Sequence, residues 1–338
     1  MKALLCEEPG KLKYITRGEP SLEDGRVILK VKRIGICGTD LHAFEGTQPY
    51  FEYPRVLGHE LACEIVSIKT NHEFATGDRV TFIPYFNCGE CVACRNGLTN
   101  CCVNLKVCGV HVDGGMTEFI SVPMQSLIQG KDMSLDELAL VEPLSIGAHA
   151  VRRAAIQFGE HVLVVGAGPI GLGVMEFARI AGAQVIAMDT NDTRLDFCKK
   201  HMRGVSALNP VREDVEQRLK EITNGEMPTV VFDATGSLKA INNAFQYMAH
   251  GARYVLVGLQ KDEISFSQPE FHKREASLMS SRNATREDFE HVMRCMKYEL
   301  IDPAPYITNR VQFDEVKDQF ASWLDPRNGV IKAMVEFN

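Results

Sequence analysis

One run limits the fold more than any other: His161-Val-Leu-Val-Val-Gly166-Ala-Gly168-Pro-Ile-Gly171. An apolar strand runs directly into three spaced glycines, and a helical stretch to about residue 181 follows. A second apolar run, beginning at Gln184, ends in Asp189. This order of strand, glycine turn, helix, strand and acid is that of a dinucleotide-binding unit. Gly166 makes the tight turn, Gly168 lets backbone approach a pyrophosphate, and Gly171 lets the helix pack on the strand. Asp189 would accept ribose hydroxyls and repel a 2′-phosphate. No arginine follows it immediately, and Arg194 comes a full turn later, so the pattern reads NAD rather than NADP. Pro169, Ile170, Arg194, Thr235 and Val257 complete the candidate cofactor contacts. A glycine-rich turn without a ligand is the alternative, and the context argues against it.

The alternation continues. Residues 229–235, 253–258 and 277–282 read as buried strands, with a helical stretch over 238–249 and an amphipathic helix over 285–298. Together they form a doubly wound parallel sheet. Residues 1–145 differ. Short apolar strands at 27–36, 61–68, 77–84 and 117–122 are separated by Gly and Pro without a sustained helical period, as in an all-β barrel or sandwich. The tail after residue 306 ends in a strand at 330–337 and is too short for its own domain. It is expected to pack on the N-terminal part. A chain of 338 residues suffices for two domains with real cores.

Metal chemistry enters with Cys88-Gly-Glu-Cys91-Val-Ala-Cys94 and Cys102. Four thiolates close a tetrahedral shell and leave no open position, which makes a structural zinc. Cys101, beside Cys102, is the alternative fourth ligand. Elsewhere Cys37 is followed closely by Thr39, Asp40 and His42, and Gly58-His59-Glu60 comes later. One soft thiolate, one imidazole and nearby carboxylates are what an open zinc site needs. Glu142 lies before Pro143 among apolar residues, where an unpaired carboxylate is costly, so it should meet a cation or donors. An exposed loop, or a place beside a helix starting near Ser145, is the alternative. Eleven cysteines, an odd count in a chain this long, point to metal ligation in a reducing cytoplasm. Net charge is −7 and no basic block stands out, which excludes nucleic acid and anionic membrane as partners. No apolar run reaches the length of a membrane span or a signal peptide.

Together, Gly35-Ile-Cys37-Gly-Thr-Asp40, Gly58-His59-Glu60, the four-cysteine lobe, Glu142-Pro and the glycine turn resemble the zinc-containing medium-chain alcohol dehydrogenase family over the whole chain. The resemblance implies a GroES-like β-rich catalytic domain from residues 1–145 and 286–338. A Rossmann NAD-binding domain, 146–285, is inserted in it. It implies two zincs per chain. Cys88, Cys91, Cys94 and Cys102 hold the structural ion. Cys37, His59 and Glu142 hold the catalytic one, with Glu60 a direct or intermittent ligand. Thr39 and His42 fall at the proton-relay positions, and Asp40 is placed to orient His59. A homodimer or homotetramer is implied as well.

Glu142-Pro, the run Cys101-Cys102-Val-Asn-Leu-Lys106, Phe271-His-Lys-Arg-Glu275 and Ser280-Ser-Arg282-Asn look like the sugar-acid and polyol branch. That branch implies hydride transfer from a secondary alcohol of a sugar acid, best L-galactonate or L-gulonate at C5, to NAD. Arg282 would grip the carboxylate bidentately, a structural salt bridge being its alternative. A sorbitol- or xylitol-type polyol dehydrogenase and L-threonine 3-dehydrogenase share the metal motifs and stay open. A catalytically inactive zinc- and NAD-binding protein is the reading of another class. The intact Cys37, Thr39, His59 and glycine turn argue against it.

Overall fold

The strand Arg26–Gly35 organises the N-terminal sheet. Its buried Val27, Leu29 and Val31 alternate with less buried residues, the period of a pleated strand with one face on a core. In a computed structural model describing residues 1–69 and 72–337, it pairs antiparallel with Glu60–Ser67, Phe119–Pro123 and Lys332–Glu336. Arg79–Phe82 and Leu127–Gln129 extend the sheet on one side, and Ile307–Gln312 on the other. The register sets Gly35 opposite both Glu60 and Met334. A second sheet places Lys2–Glu8 between Lys11–Thr16 and Arg55–Val56. Leu4, Leu29, Leu61, Ile65 and Phe320 share one core. Phe320, from the tail, sits 5.2 Å from the Phe44 ring and 5.4 Å from Trp323. Burying a ring of this kind stabilises by about 1.5–3 kcal/mol.

The chain divides into two compact units: Met1–Pro143 with Thr285–Asn338, and Leu144–Ala284. The second holds a six-stranded parallel sheet. Its order is Ser206–Leu208, Gln184–Met188, His161–Val165, Val230–Asp233, Arg253–Leu256, Ser277–Ser280. Between His161 at the start of one and Asp233 at the end of the other, the central strands are apolar, as strands covered on both faces are. Strand order reverses between His161–Val165 and Val230–Asp233. In such sheets that switch point is where a crevice opens beyond the carboxyl ends. This is the doubly wound parallel sheet read from the sequence.

Two helices depart from the sequence reading, and a third matches it to its caps. The stretch 238–249 is an α-helix only over Leu238–Ala244, then a single 3₁₀ turn at Phe245–Tyr247. The amphipathic helix runs Arg286–Lys297, and Thr285 and Asp288 close a capping box at its start. The helix expected near Ser145 begins instead at Leu135 and runs to Ala154. Glu142 and Pro143 therefore lie inside a helix rather than in a loop. A proline removes one i→i−4 bond and so reads as a breaker. The true start is marked by Ser134 and Glu137. The Ser134 N–H donates to Glu137 Oε2 at 2.7 Å, and the Glu137 N–H donates back to Ser134 Oγ at 3.2 Å. No helix among the described residues is long and apolar enough to cross a membrane.

Candidate metal centres and cofactor edge

Cys37 follows the strand Arg26–Gly35 and caps the helix Gly38–Glu45, its N–H donating to Asp40 Oδ2 at 3.0 Å. Glu60 opens the neighbouring strand and His59 immediately precedes it. Donor atoms of Cys37, His59 and Glu60 all lie within 4.8 Å of one another. Asp40 is fully buried. Its Oδ1 accepts the Gly58 N–H at 3.0 Å and lies 3.8 Å from His59 Nδ1, too far for a hydrogen bond. Burial raises the Asp40 carboxyl, against the pull of His59. Burial alone would lower His59, but Cys37 and Asp40 outweigh it and hold the imidazole well above its ordinary range. His59 Nδ1 is buried without a hydrogen-bond partner. A thiol, an imidazole with an orphaned nitrogen and a carboxylate, converging in a buried place, fit a zinc ion.

Glu142 stands outside that three-residue group. It is buried on its helix and accepts the Tyr85 hydroxyl at Oε1. Burial pushes its carboxyl up to about 7, with Glu60 adding to the shift and His59 opposing it. The sequence reading missed two residues here, Tyr85 and Lys332. Lys332 is 3% exposed, and its Nζ lies 2.6 Å from each Glu60 oxygen and 3.0 Å from the Ile36 carbonyl. A lysine opening the apolar strand Lys332–Glu336 carried the same signal that drew attention to Glu142. Thr39 is half-buried on the first turn of Gly38–Glu45, and His42 is exposed on the same helix. His42 Nδ1 lies 3.3 Å from Glu45 Oε2 and from Thr47 Oγ1.

Cys88, Cys91, Cys94 and Cys102 form a second group, with Cys102 Sγ 3.4 Å from Cys88 Sγ and Cys91 Sγ 3.5 Å from Cys94 Sγ. Cys101, the alternative fourth ligand, is exposed and outside this group. Backbone N–H groups of Cys94 and Val103 lower the Cys91 thiol to about 6. Four thiols so close favour a cation that takes their protons' place.

The cofactor candidates line one edge of the parallel sheet, each just past the carboxyl end of a strand: Gly166, Asp189, Thr235, Val257 and Arg282. Gly166 has φ +101°, and a Cβ on Gly171 would stand 1.8 Å from the Gly166 carbonyl oxygen, so neither position accepts a side chain. Gly168 caps the helix Pro169–Ile180, whose first residues are Pro169 and Ile170. Asp189 Oδ2 accepts the Ala167 N–H at 2.7 Å, which ties the second strand to the glycine turn. Arg194, on the first turn of Asp192–His201, comes back to 3.7 Å from the same oxygen. Thr235 donates to Asp233 Oδ1 at 2.6 Å. The Val257 N–H donates to the Asp233 carbonyl at 2.9 Å. Arg282 is exposed, two residues beyond the edge strand.

Residues 23–132 match the alcohol dehydrogenase GroES-like domain, and residues 169–298 match the zinc-binding dehydrogenase domain. The chain is 43% identical over 338 residues to L-galactonate-5-dehydrogenase of Escherichia coli (strain K12), covering 100% of this chain and 99% of that protein. The chain belongs to the zinc-type alcohol dehydrogenase family. This family membership makes it an oxidoreductase with a GroES-like part and a Rossmann-type sheet, as the sequence reading has it. It is also 32% identical to 2-dehydro-3-deoxy-L-galactonate 5-dehydrogenase of Pseudoalteromonas atlantica (strain T6c / ATCC BAA-1087), covering 93% of this chain and 92% of that one. Among solved structures, the alcohol dehydrogenase RspB from E. coli CFT073, complexed with NADH, superposes with a TM-score of 0.92. Its identity is 31%, over 100% of this chain and 99% of that one.

Proposed function

We propose that this dehydrogenase oxidises a secondary alcohol of a six-carbon sugar acid with NAD, at C5 of L-galactonate or L-gulonate. The observation that carries the substrate is the full-length 43% identity to an L-galactonate-5-dehydrogenase. The chemistry rests on the buried Cys37, His59 and Glu60 group, with Glu142 beside it and His59 Nδ1 unpartnered. A zinc ion held there would supply the Lewis acidity that brings an alcohol's pKa toward neutrality, and the nicotinamide would take the hydride. Asp40 fixes the Gly58 backbone beside His59 through a hydrogen bond, and acts on His59 itself only as a charge 3.8 Å away. Thr39 would accept the alcohol proton at its hydroxyl as it gives up its own, and His42, exposed on the same helix, would release a proton to solvent. Gly168 lets the backbone approach the pyrophosphate, Gly166 and Gly171 shape the turn that presents it, and Asp189 holds the adenosine ribose. Cys88, Cys91, Cys94 and Cys102 hold the second, structural zinc. The same reading puts the enzyme in the cytoplasm as a homodimer or homotetramer.

Arg282 is the proposed carboxylate contact. A bidentate, charge-assisted pair contributes about 1.5–3 kcal/mol that a neutral polyol cannot gain. The test is kcat/KM for NAD reduction with L-galactonate, L-gulonate, sorbitol, xylitol and L-threonine. An aldonate should lead by roughly ten- to a hundred-fold, and Arg282→Ala should remove most of that lead. Faster turnover of sorbitol, xylitol or L-threonine than of either aldonate would overturn the substrate assignment.

A further inference from the structure

We propose that Lys332 is a positioning residue that restrains Glu60, and so sets how many protein ligands the Cys37 and His59 centre offers a metal. The proposal rests on the reading of that centre as a zinc site.

Three adjacent strands build the arrangement. In the register of the sheet, Gly35 faces Glu60 on one side and Met334 on the other, and Lys332 opens the strand that carries Met334. Gly35 leaves room for the carboxylate: a Cβ there would stand 2.1 Å from Glu60 Oε2. Lys332 reaches the space from across the sheet and engages both oxygens at 2.6 Å, while the Ile36 carbonyl takes another of its protons. Glu60 is 0% and Lys332 3% exposed, so water offers neither charge an alternative partner.

Yet the same carboxylate is within 4.8 Å of the Cys37 and His59 donor atoms. Glu60 therefore has two cations to choose between, the ammonium and a metal. With both its oxygens on Lys332, Glu60 is held from full ligation and a coordination position stays open, as a catalytic zinc site requires. Without the ammonium, a buried carboxylate has only the metal to neutralise it. It then closes the shell.

The test is the rate at which zinc passes from the holoprotein to an excess of a strong chelator. The phase absent in Cys37→Ala belongs to this centre. Lys332→Met should slow that phase by roughly tenfold or more, the size of effect that partners of metal ligands commonly have. The double variant Lys332→Met/Glu60→Gln should restore the wild-type rate, since the amide makes a poor ligand. Lys332→Gln, which still donates a hydrogen bond to the carboxylate, should slow release to a lesser degree, and serves if the methionine variant fails to fold. An unchanged or faster phase in the Lys332 variants, or a slow phase that persists in the double variant, would overturn the proposal. A wild-type protein with no Cys37-dependent zinc would instead sink the zinc reading itself.

Discussion

Asp189 braces the fold, and we propose that it also sets cofactor specificity. Its two oxygens accept the Ala167 and Asn191 N–H groups at 2.7 and 2.8 Å, so it braces the glycine turn from within. Its negative charge also stands at the end of the second strand, where a ribose is held in this fold. Arg194, 3.7 Å away, is kept in check by that charge. Asp189→Ala should therefore lower the NAD-to-NADP ratio of kcat/KM by roughly tenfold or more, because Arg194 becomes free to meet a 2′-phosphate. Steady-state kinetics with both cofactors check this, and an unchanged ratio would count against the role. Residues of this kind are legible in a sequence because their chemistry is rare and local. Gly171 excludes any Cβ, and cysteines at close spacing have few uses. Lys332 and Tyr85 are not legible in the same way. Each is an ordinary residue whose importance comes from a partner, Glu60 or Glu142, brought to it by long-range register.

At the level of elements, the parallel sheet is fastened at its other edge by Glu160. Its Oε2 accepts the Gln157 N–H at 2.7 Å, and its Oε1 accepts the Thr229 hydroxyl at 2.9 Å and the Arg253 guanidinium. These residues stand at the starts of His161–Val165, Val230–Asp233 and Arg253–Leu256, opposite the cofactor edge. Burial alone would raise the carboxyl, but the Gln157 N–H and the Arg253 and Thr229 donors outweigh it and hold it below its ordinary range. A carboxyl lowered in the folded state stabilises the fold above its unfolded pKa, and that contribution is lost as pH falls through the folded one. Glu160→Gln should cost about 1–3 kcal/mol at pH 7, and the difference from wild type should shrink below about pH 4. Denaturant titrations at the two pH values measure it. Most elements were readable from period and punctuation. The helix Leu135–Ala154 was not, because Pro143 resembles a terminus while the Ser134 and Glu137 cap that begins it is quieter.

Across the whole molecule, the chemistry separates by unit. Both metal groups lie in the unit built from Met1–Pro143 and Thr285–Asn338, and the glycine turn with Asp189 lies in Leu144–Ala284. The two metal groups differ in kind. Four thiols would make a closed shell whose metal would contribute folding free energy directly, whereas Cys37, His59 and nearby carboxylates would make a mixed and open one. Zinc content of purified protein, measured by elemental analysis for wild type and Cys37→Ala, tests this division most directly. The expected result is one zinc for each of the two groups in wild type, and about one zinc with the fold intact in Cys37→Ala. Fewer than two in wild type, no loss on removing Cys37, or loss of both ions together would contradict it.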